Sequence, residues 1–333
     1  MRLGANIVGS SHDEVATLAR LAEDLGYHSL WRGEAYGGDA VVPLAWAGAV
    51  TSRVKLGSAI LQMPARTPTM TAMTAISLDQ LSGGRAILGL GMSGPQVVEG
   101  WHGVPYTAPL RTTEEYVAIV RRIFAGDQRL TFEGERYRIP YSGPDGTGLG
   151  KPLRPGIHTR PDIPIYLAAI GPKNVELTTR IADGLLPMLW NPYRVKEAFG
   201  ETFAAVDLTR FDIAPTVPVA VGDDVASCRD KVRPLIALYV GGMGAKHKNF
   251  YNALVRRYGY EDAAEAVQDA YLDGRRRDAI ALVPDALVDE LALVGPRSRV
   301  ADQVSAWAAS GVGTLIVASP SRTNLEAVAA AAA

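Results

Sequence analysis

The stretch Ala168-Ala169-Ile170-Gly171-Pro172-Lys173-Asn174 ends a strand in small residues and runs through Gly-Pro straight into a helix. Backbone N–H groups at a helix start have no intrahelical partner, and the helix dipole adds partial positive charge there. The chemistry on offer is capture of a phosphate-type anion, with Lys173 able to add charge. Pro172 suits the first turn, where its missing N–H is no loss. An ordinary tight βα turn uses the same residues, and both readings stand.

A second set falls at the ends of the neighbouring strands. Ile60, Met63, Met92, Ile170, Met188, Trp31 and Trp190 make an apolar rim that suits a flat heteroaromatic ring, with core filling by the methionines as the competing use. Built-in reactive machinery is sparse. His12, His28, His102, His158 and His247 show no HxH or HExxH spacing, and there is no GxSxG elbow or P-loop. The single cysteine, Cys228, lies in the polar helical run DDVASCRDK and reads as incidental; one cysteine makes neither an internal disulfide nor a multi-cysteine zinc site. The chain therefore reads as one that binds and orients while a bound cofactor does the chemistry.

These residues need strands to deliver them, and the hydrophobic pattern supplies eight. Arg2 to Val8 suits a first strand, and Ser11 with Glu14 forms a capping box for a helix that buries Val15, Leu18, Ala19, Ala22 and Leu25 and stops at Gly26. His28 to Arg32 is strand two, followed by the loop Gly33 to Asp39 and a helix opened by Pro43. Val54 to Leu61 is strand three; Thr67-Pro68 then starts a helix with Met70, Met73, Thr74, Leu78 and Leu81 on one face, ended by Gly83-Gly84. Arg85 to Gly91 is strand four, and Thr112 with Glu115 caps the next helix, which stops at Gly126. Arg129 to Ile139 reads as a hairpin turning at Glu133-Gly134-Glu135. Ile165 to Ala168, Leu185 to Leu189, Ile213 to Val221 and Thr314 to Ser319 complete the strands. Alternation of eight strands with helices predicts a (β/α)8 TIM barrel, one domain over residues 1–333 with insertions in βα loops at 127–164 and 240–284.

Lys plus Arg number 34 against 35 Asp plus Glu, so the basic excess of a nucleic-acid binder is missing. No apolar run spans a bilayer, and MRLGANIVGSSHDE lacks the order of a signal peptide. The expected protein is soluble and cytoplasmic, with a small-molecule substrate.

The runs WRGEAYGGDAVVPLAWAGAVTSRVKLGSAILQMPARTP, LSGGRAILGLGMSGPQVVEGWHGVPY, IPIYLAAIGPKNVELTTRIADGLLPML and LYVGGMGAKHKNFYN resemble the luciferase-like monooxygenase superfamily. They are most similar to the branch that uses the deazaflavin coenzyme F420, which includes methylene-tetrahydromethanopterin reductase. The resemblance implies hydride transfer between F420 and an organic substrate, and a homodimer. It places a non-prolyl cis peptide at Ala59-Ile60, behind the ring, and an acidic residue at Glu34. It puts the run from Met92 through Gly94 to Glu99 over the ring, the phosphate-proximal turn at Ala168 to Gly171, and Pro187, Met188 and Leu189 beside the cofactor's side chain; the strand-three end adds Gln62, and the helix start adds Pro172, Lys173 and Asn174, as candidate cofactor contacts. A basic loop at Lys246, Lys248 and Asn249 suits the coenzyme's phosphodiester and oligoglutamate tail; Arg275-Arg276-Arg277 could serve likewise but reads more readily as a solvated helix end.

Two departures narrow the implied function. The sugar-phosphate dehydrogenases of this branch carry a histidine after the strand-two acid, where this chain has Ala35, and an acid after strand four, where it has Pro95. The expected reaction is therefore reduction of a C=C, C=N or C=O bond in a small, largely apolar substrate. Glu34, Tyr36 and His102 are the candidate proton sources, Glu34 and Tyr36 ahead of His102. The alternatives are an FMN-dependent monooxygenase of the same superfamily and a non-catalytic F420 or flavin binder.

Overall fold

The structure is a computed structural model and describes residues 1–9, 11–126, 128–246 and 248–333; His247 and the first residue of the 127–164 segment lie outside them. Eight parallel strands form the barrel: β1 (Arg2–Asn6), β2 (Ser29–Arg32), β3 (Lys55–Ser58), β4 (Ala86–Gly91), β5 (Ile165–Leu167), β6 (Gly184–Leu185), β7 (Asp212–Ile213 and Thr216–Val217) and β8 (Thr314–Val317). Each pairs with the next, and β8 pairs with β1. Closure falls to β7, whose first piece pairs with β6 and whose second pairs with β8. Pro215 between the pieces has no N–H to give, so it interrupts the ladder without ending the strand.

Pro218 then turns the chain outward. Val219–Val221 pairs in parallel with Leu293–Gly295 instead of extending β7, so strand seven is shorter than the run Ile213 to Val221 suggests. Helices α1 (His12–Asp24), α2 (Val41–Val50), α3 (Pro68–Ser82), the short α4 (Pro95–Gly100), α5 (Pro109–Ala125), α6 (Pro172–Ile181) and α7 (Val195–Phe199) follow β1 to β6. Between Val221 and β8 come α8 (Val225–Ala237), a π-helical turn at Leu238–Gly242, α9 (Phe250–Arg257), α10 (Glu261–Leu272), α11 (Arg276–Ala281), α12 (Asp285–Leu291) and α13 (Arg297–Ala309); α14 (Arg322–Ala332) ends the chain.

Local chemistry sets several of these ends. Ser11 and Glu14 form the reciprocal capping box of α1, and Gly83, left-handed at φ 69°, stops α3. Helix α5 begins at Pro109, three residues before the expected cap at Thr112. Its Glu115 serves the hairpin instead, accepting the backbone N–H groups of Glu135, Arg136 and Tyr137. That hairpin pairs Phe132–Glu133 with Arg138–Ile139. The inner face of α3 is Thr71, Ala72, Ala75, Ile76 and Leu78, whereas Met70, Met73 and Leu81 point outward. The helix is apolar on both sides, so periodicity does not choose between them.

The barrel interior is filled. Trp31, Ile87, Tyr166, Leu186, Ala214 and Ile316 pack across it, with Ala59, Ile60 and Ala168 against them. At the opposite end Asp212 gathers the Tyr166 hydroxyl at 2.8 Å, the Thr314 hydroxyl at 2.7 Å and Arg2 at 2.7 Å. The packed interior leaves the C-terminal mouth as the place for a ligand.

Candidate active site

Strand β3 ends at Ser58, whose hydroxyl donates to the Gly89 carbonyl and accepts the Gly89 N–H, locking β3 to β4. The next peptide, Ala59-Ile60, is cis, at the position the resemblance implies. Two glycines let the backbone pass beside it. A Cβ on Gly33 would lie 2.3 Å from the Ala59 carbonyl oxygen, and one on Gly89 would lie 1.8 Å from the Ser58 carbonyl oxygen. A Cβ on Gly91 would meet Ile60 Cδ1 at 3.1 Å and Ala168 Cβ at 3.2 Å. The shelf at Ile60 and the end of β5 therefore adjoin across β4.

Glu34 follows β2, and its N–H donates to the Ile60 carbonyl. Both carboxylate oxygens are engaged: Oε1 accepts Arg66 at 2.7 Å and the Ala40 N–H, and Oε2 accepts the Gln62 N–H. Arg66 also reaches Asp39 at 2.6 Å. Burial works against the Arg66 charge, but hydrogen bonds and charge from Glu34 and Asp39 outweigh it and raise the guanidinium further. Asp39 moves the other way: burial opposes its charge, yet the Val42 N–H and Arg66 hold its carboxyl below the usual range. Tyr36, in the same loop, is 68% exposed.

Gln62 is 2% exposed and joins three segments. Its amide nitrogen donates to the Ala35 carbonyl at 2.7 Å, and its amide oxygen lies 3.2 Å from His102 Nε2. After β4 the chain passes Met92 and reaches Ser93, a non-glycine residue at φ 60°, then Gly94 caps α4. Glu99 accepts the Tyr106 N–H and so closes its own loop.

On the β5 side, Ala169 is buried and the Ile170 carbonyl accepts Arg257 of α9 at 3.0 Å. Gly171 is the N-cap of α6 and makes no side-chain cap bond; Pro172 and Lys173 are exposed, and Asn174 donates its N–H to the Gly171 carbonyl. Arg257 forms no ion pair with a carboxylate among the described residues, although it lies 6.0 Å over the Phe199 ring; burial lowers its pKa. After β6, Pro187 leads to Met188, which bridges to Thr216. Leu189, left-handed at φ 53°, gives its carbonyl to the Tyr258 hydroxyl. Left-handed backbone at Ser93 and Leu189 is costly for side-chain-bearing residues and here marks two ends of the mouth.

The structure corrects the rim. Trp31 packs inside the barrel, Trp190 stacks on Phe199 at 5.4 Å, and Met63 joins the core under α3 and α5. Ile60, Met92, Ile170 and Met188 remain half-buried at the mouth. Two members of the expected basic loop are engaged elsewhere: Lys246 pairs with Asp269 at 2.6 Å, and Asn249 caps α9, while Lys248 forms no ion pair among the described residues. Arg275 pairs with Asp273 and Asp278, as on a solvated helix end. Arg66 and Arg257 were not singled out from the sequence; each acts through partners tens of residues away, and no motif marks either. Cys228 is buried on α8. No group of three or more His, Cys, Asp or Glu among the described residues could hold a metal ion, and no helix is long and apolar enough to cross a membrane.

Three comparisons bear on this site. A Mycobacterium tuberculosis H37Rv protein described by name as a coenzyme F420-dependent oxidoreductase is 44% identical over 323 residues, covering 95% of this chain and 93% of that protein. The 5,10-methylenetetrahydromethanopterin reductase of Methanolobus tindarius is 28% identical, over 94% of this chain and 92% of its own. The F420-dependent tetrahydromethanopterin reductase of Methanopyrus kandleri has a similar fold, with a TM-score of 0.79 at 24% identity, over 98% of this chain and 97% of that one. The family model for luciferase-like monooxygenase matches residues 2–314. With that match and the 44% relative, the chain belongs to the luciferase-like monooxygenase family.

Proposed function

We propose that the protein is a coenzyme F420-dependent oxidoreductase of the cytoplasm, reducing a C=C, C=N or C=O bond in a small, largely apolar substrate. The observation that carries this reading is the gap left by Gly91, which has Ile60 and Ala168 on its borders. It sets an apolar shelf at Ile60 directly beside the β5 end that leads to the α6 N-terminus. A planar ring needs the first, and an anionic side chain needs the second.

The residues fit the coenzyme. Ala59, Ile60, Met92 and Gly94 would border the ring, with Glu34, Gln62 and Glu99 holding the surrounding loops. Ala169, Ile170, Gly171, Pro172, Lys173 and Asn174 would take the phosphodiester, where a Cβ built on Gly171 meets nothing within 4 Å. Arg257, with no acidic partner among the described residues, adds a cation beside that turn, and Pro187, Met188 and Leu189 would line the side chain. When bound, the coenzyme supplies a two-electron hydride. The chain's own part is to orient the acceptor, exclude water and deliver a proton, for which Glu34, Tyr36 and His102 are the candidate groups.

The working unit is proposed to be a homodimer. Val42, Trp46, Met70, Met73 and Leu81 leave apolar side chains exposed on the adjacent helices α2 and α3, and such patches support association.

Titration of the apo-protein with F420 and with FMN tests the cofactor, with F420 expected to bind the tighter. Tight FMN binding without F420 binding overturns the reading. Oxidation of the reduced coenzyme across a panel of enones, imines and aldehydes tests the reaction, and no turnover with any of them leaves a binder rather than an enzyme.

A further inference from the structure

A hydrogen-bond chain of fixed polarity crosses the mouth. The Ala35 carbonyl can only accept, so the Gln62 group 2.7 Å from it is the amide nitrogen. The amide oxygen must then face His102 Nε2, 3.2 Å away. An amide oxygen only accepts, so Nε2 carries a proton. That bond is the same whether the ring is neutral or charged. Whatever proton the imidazole gains or loses is therefore at Nδ1, which has no hydrogen-bond partner among the described residues and is not buried without one.

The other two candidates are placed differently. Both oxygens of Glu34 take donors from Arg66, Ala40 and Gln62, and Tyr36 stands 68% exposed on its loop. His102 is half-buried and tied to Gln62, the second residue after the cis peptide, which pairs with Gly91 at the end of β4.

We propose that His102 is the catalytic residue that exchanges the reaction's proton, through Nδ1, and that Gln62 is the positioning residue that reserves Nδ1 for it. This rests on the oxidoreductase reading. In reduction of a carbonyl, a bound reduced coenzyme would supply the hydride, which the substrate carbon would take with its electron pair. The C=O π electrons move to oxygen, which forms an O–H bond with the Nδ1 proton as the N–H bond breaks. The ring is left neutral with its proton on Nε2, and water returns the lost proton to Nδ1. Imine reduction differs only in the atom that takes the proton.

The first test needs neither coenzyme nor substrate. In 15N-histidine NMR of the full chain, with His102 assigned by its loss in His102→Asn, the neutral ring is expected as the Nε2–H tautomer. In Gln62→Leu the two tautomers are expected to mix, whereas Gln62→Glu, which keeps an acceptor oxygen, is expected to retain Nε2–H. An Nδ1–H tautomer in the wild type overturns the proposal, as does a His102 spectrum unchanged in Gln62→Leu. In turnover, His102→Asn is expected to lower kcat about 10²–10⁴-fold with coenzyme affinity within about twofold of wild type. An unchanged kcat with normal coenzyme binding overturns the catalytic assignment alone. Failure of the wild type to bind F420 overturns the oxidoreductase reading and the assignment with it.

Discussion

Glu34 Oε1 and Arg66 Nη2 meet at 2.7 Å, joining the loop after β2 to the turn after the cis peptide. Glu34 is 9% exposed and Arg66 20%, so neither charge is well served by water alone. Asp39 takes the same guanidinium nitrogen at 2.6 Å, which fastens both ends of the loop to one cation. The loop after β2 is thus held by a three-membered ionic tie.

Arg66→Met should release that loop. Removing one partner of a largely buried pair leaves the other charge uncompensated, and a loss of about 2–4 kcal/mol in denaturant unfolding is expected. Coenzyme affinity should fall as well, because the N–H groups of Ala40 and Gln62 share the Glu34 carboxylate. A variant as stable as wild type would show the tie to be solvated and dispensable.

Gly171→Val separates fold from binding. A Cβ at this position meets nothing within 4 Å, and its φ of −82° suits any residue. Urea midpoints should therefore match wild type. The branched side chain would stand over the α6 N-terminus, and coenzyme dissociation constants should rise roughly 100-fold, or about 2.7 kcal/mol. Unchanged affinity would remove the anion site from this turn.

What the sequence reveals here is mostly local. The capping box Ser11/Glu14 and the Gly83 stop of α3 depend on residues a few positions apart, and both are found where the pattern puts them. The cis bond at Ala59-Ile60 was legible only through family resemblance, since nothing in the dipeptide itself asks for it. Contacts between distant segments were not legible. Gln62 meets His102 across 40 residues and Arg257 meets Ile170 across 87. The depth of Trp31, Met63 and Trp190 likewise depends on which neighbours close over them, which hydropathy along the chain does not encode. The outward turn after β7 is a middle case: Pro215 and Pro218 are visible in the sequence, but their partners β6, β8 and Leu293–Gly295 are not.

Acid sensitivity should trace in part to Glu115. Burial alone would raise its pKa, but the N–H groups of Arg136, Glu135 and Tyr137, with Arg111, bring it below the ordinary glutamate value. A carboxyl depressed in the folded state stabilises fully above its unfolded pKa, and that stability fades as pH falls through the lower folded value. Glu115→Gln should therefore be less stable than wild type near pH 7, by about 1–3 kcal/mol, with the gap closing below the ordinary glutamate range. Unfolding free energies measured at several pH values would show it; a gap independent of pH would mean the charge is irrelevant to the hairpin.

The outward face of α2 and α3 makes the last prediction. Leu81 is 83% exposed, Val42 70%, Met73 53% and Met70 50%, with Trp46 at 42% beside them. Isolated exposed apolar residues are ordinary, but five on two adjacent helices are more apolar surface than a free face usually carries. A stable interface needs roughly 800 Å² from each partner, and at about 25 cal/mol per Å² of apolar area the burial is strongly favourable before association entropy is subtracted. Light scattering on a sizing column should give a dimer for the wild type and a monomer for Met73→Lys/Leu81→Lys. Because both side chains are already exposed, the double variant should keep its monomer fold, with far-UV circular dichroism unchanged. A wild type that elutes as a monomer at micromolar concentration, or a double variant that remains dimeric, would place the partner surface elsewhere or remove it.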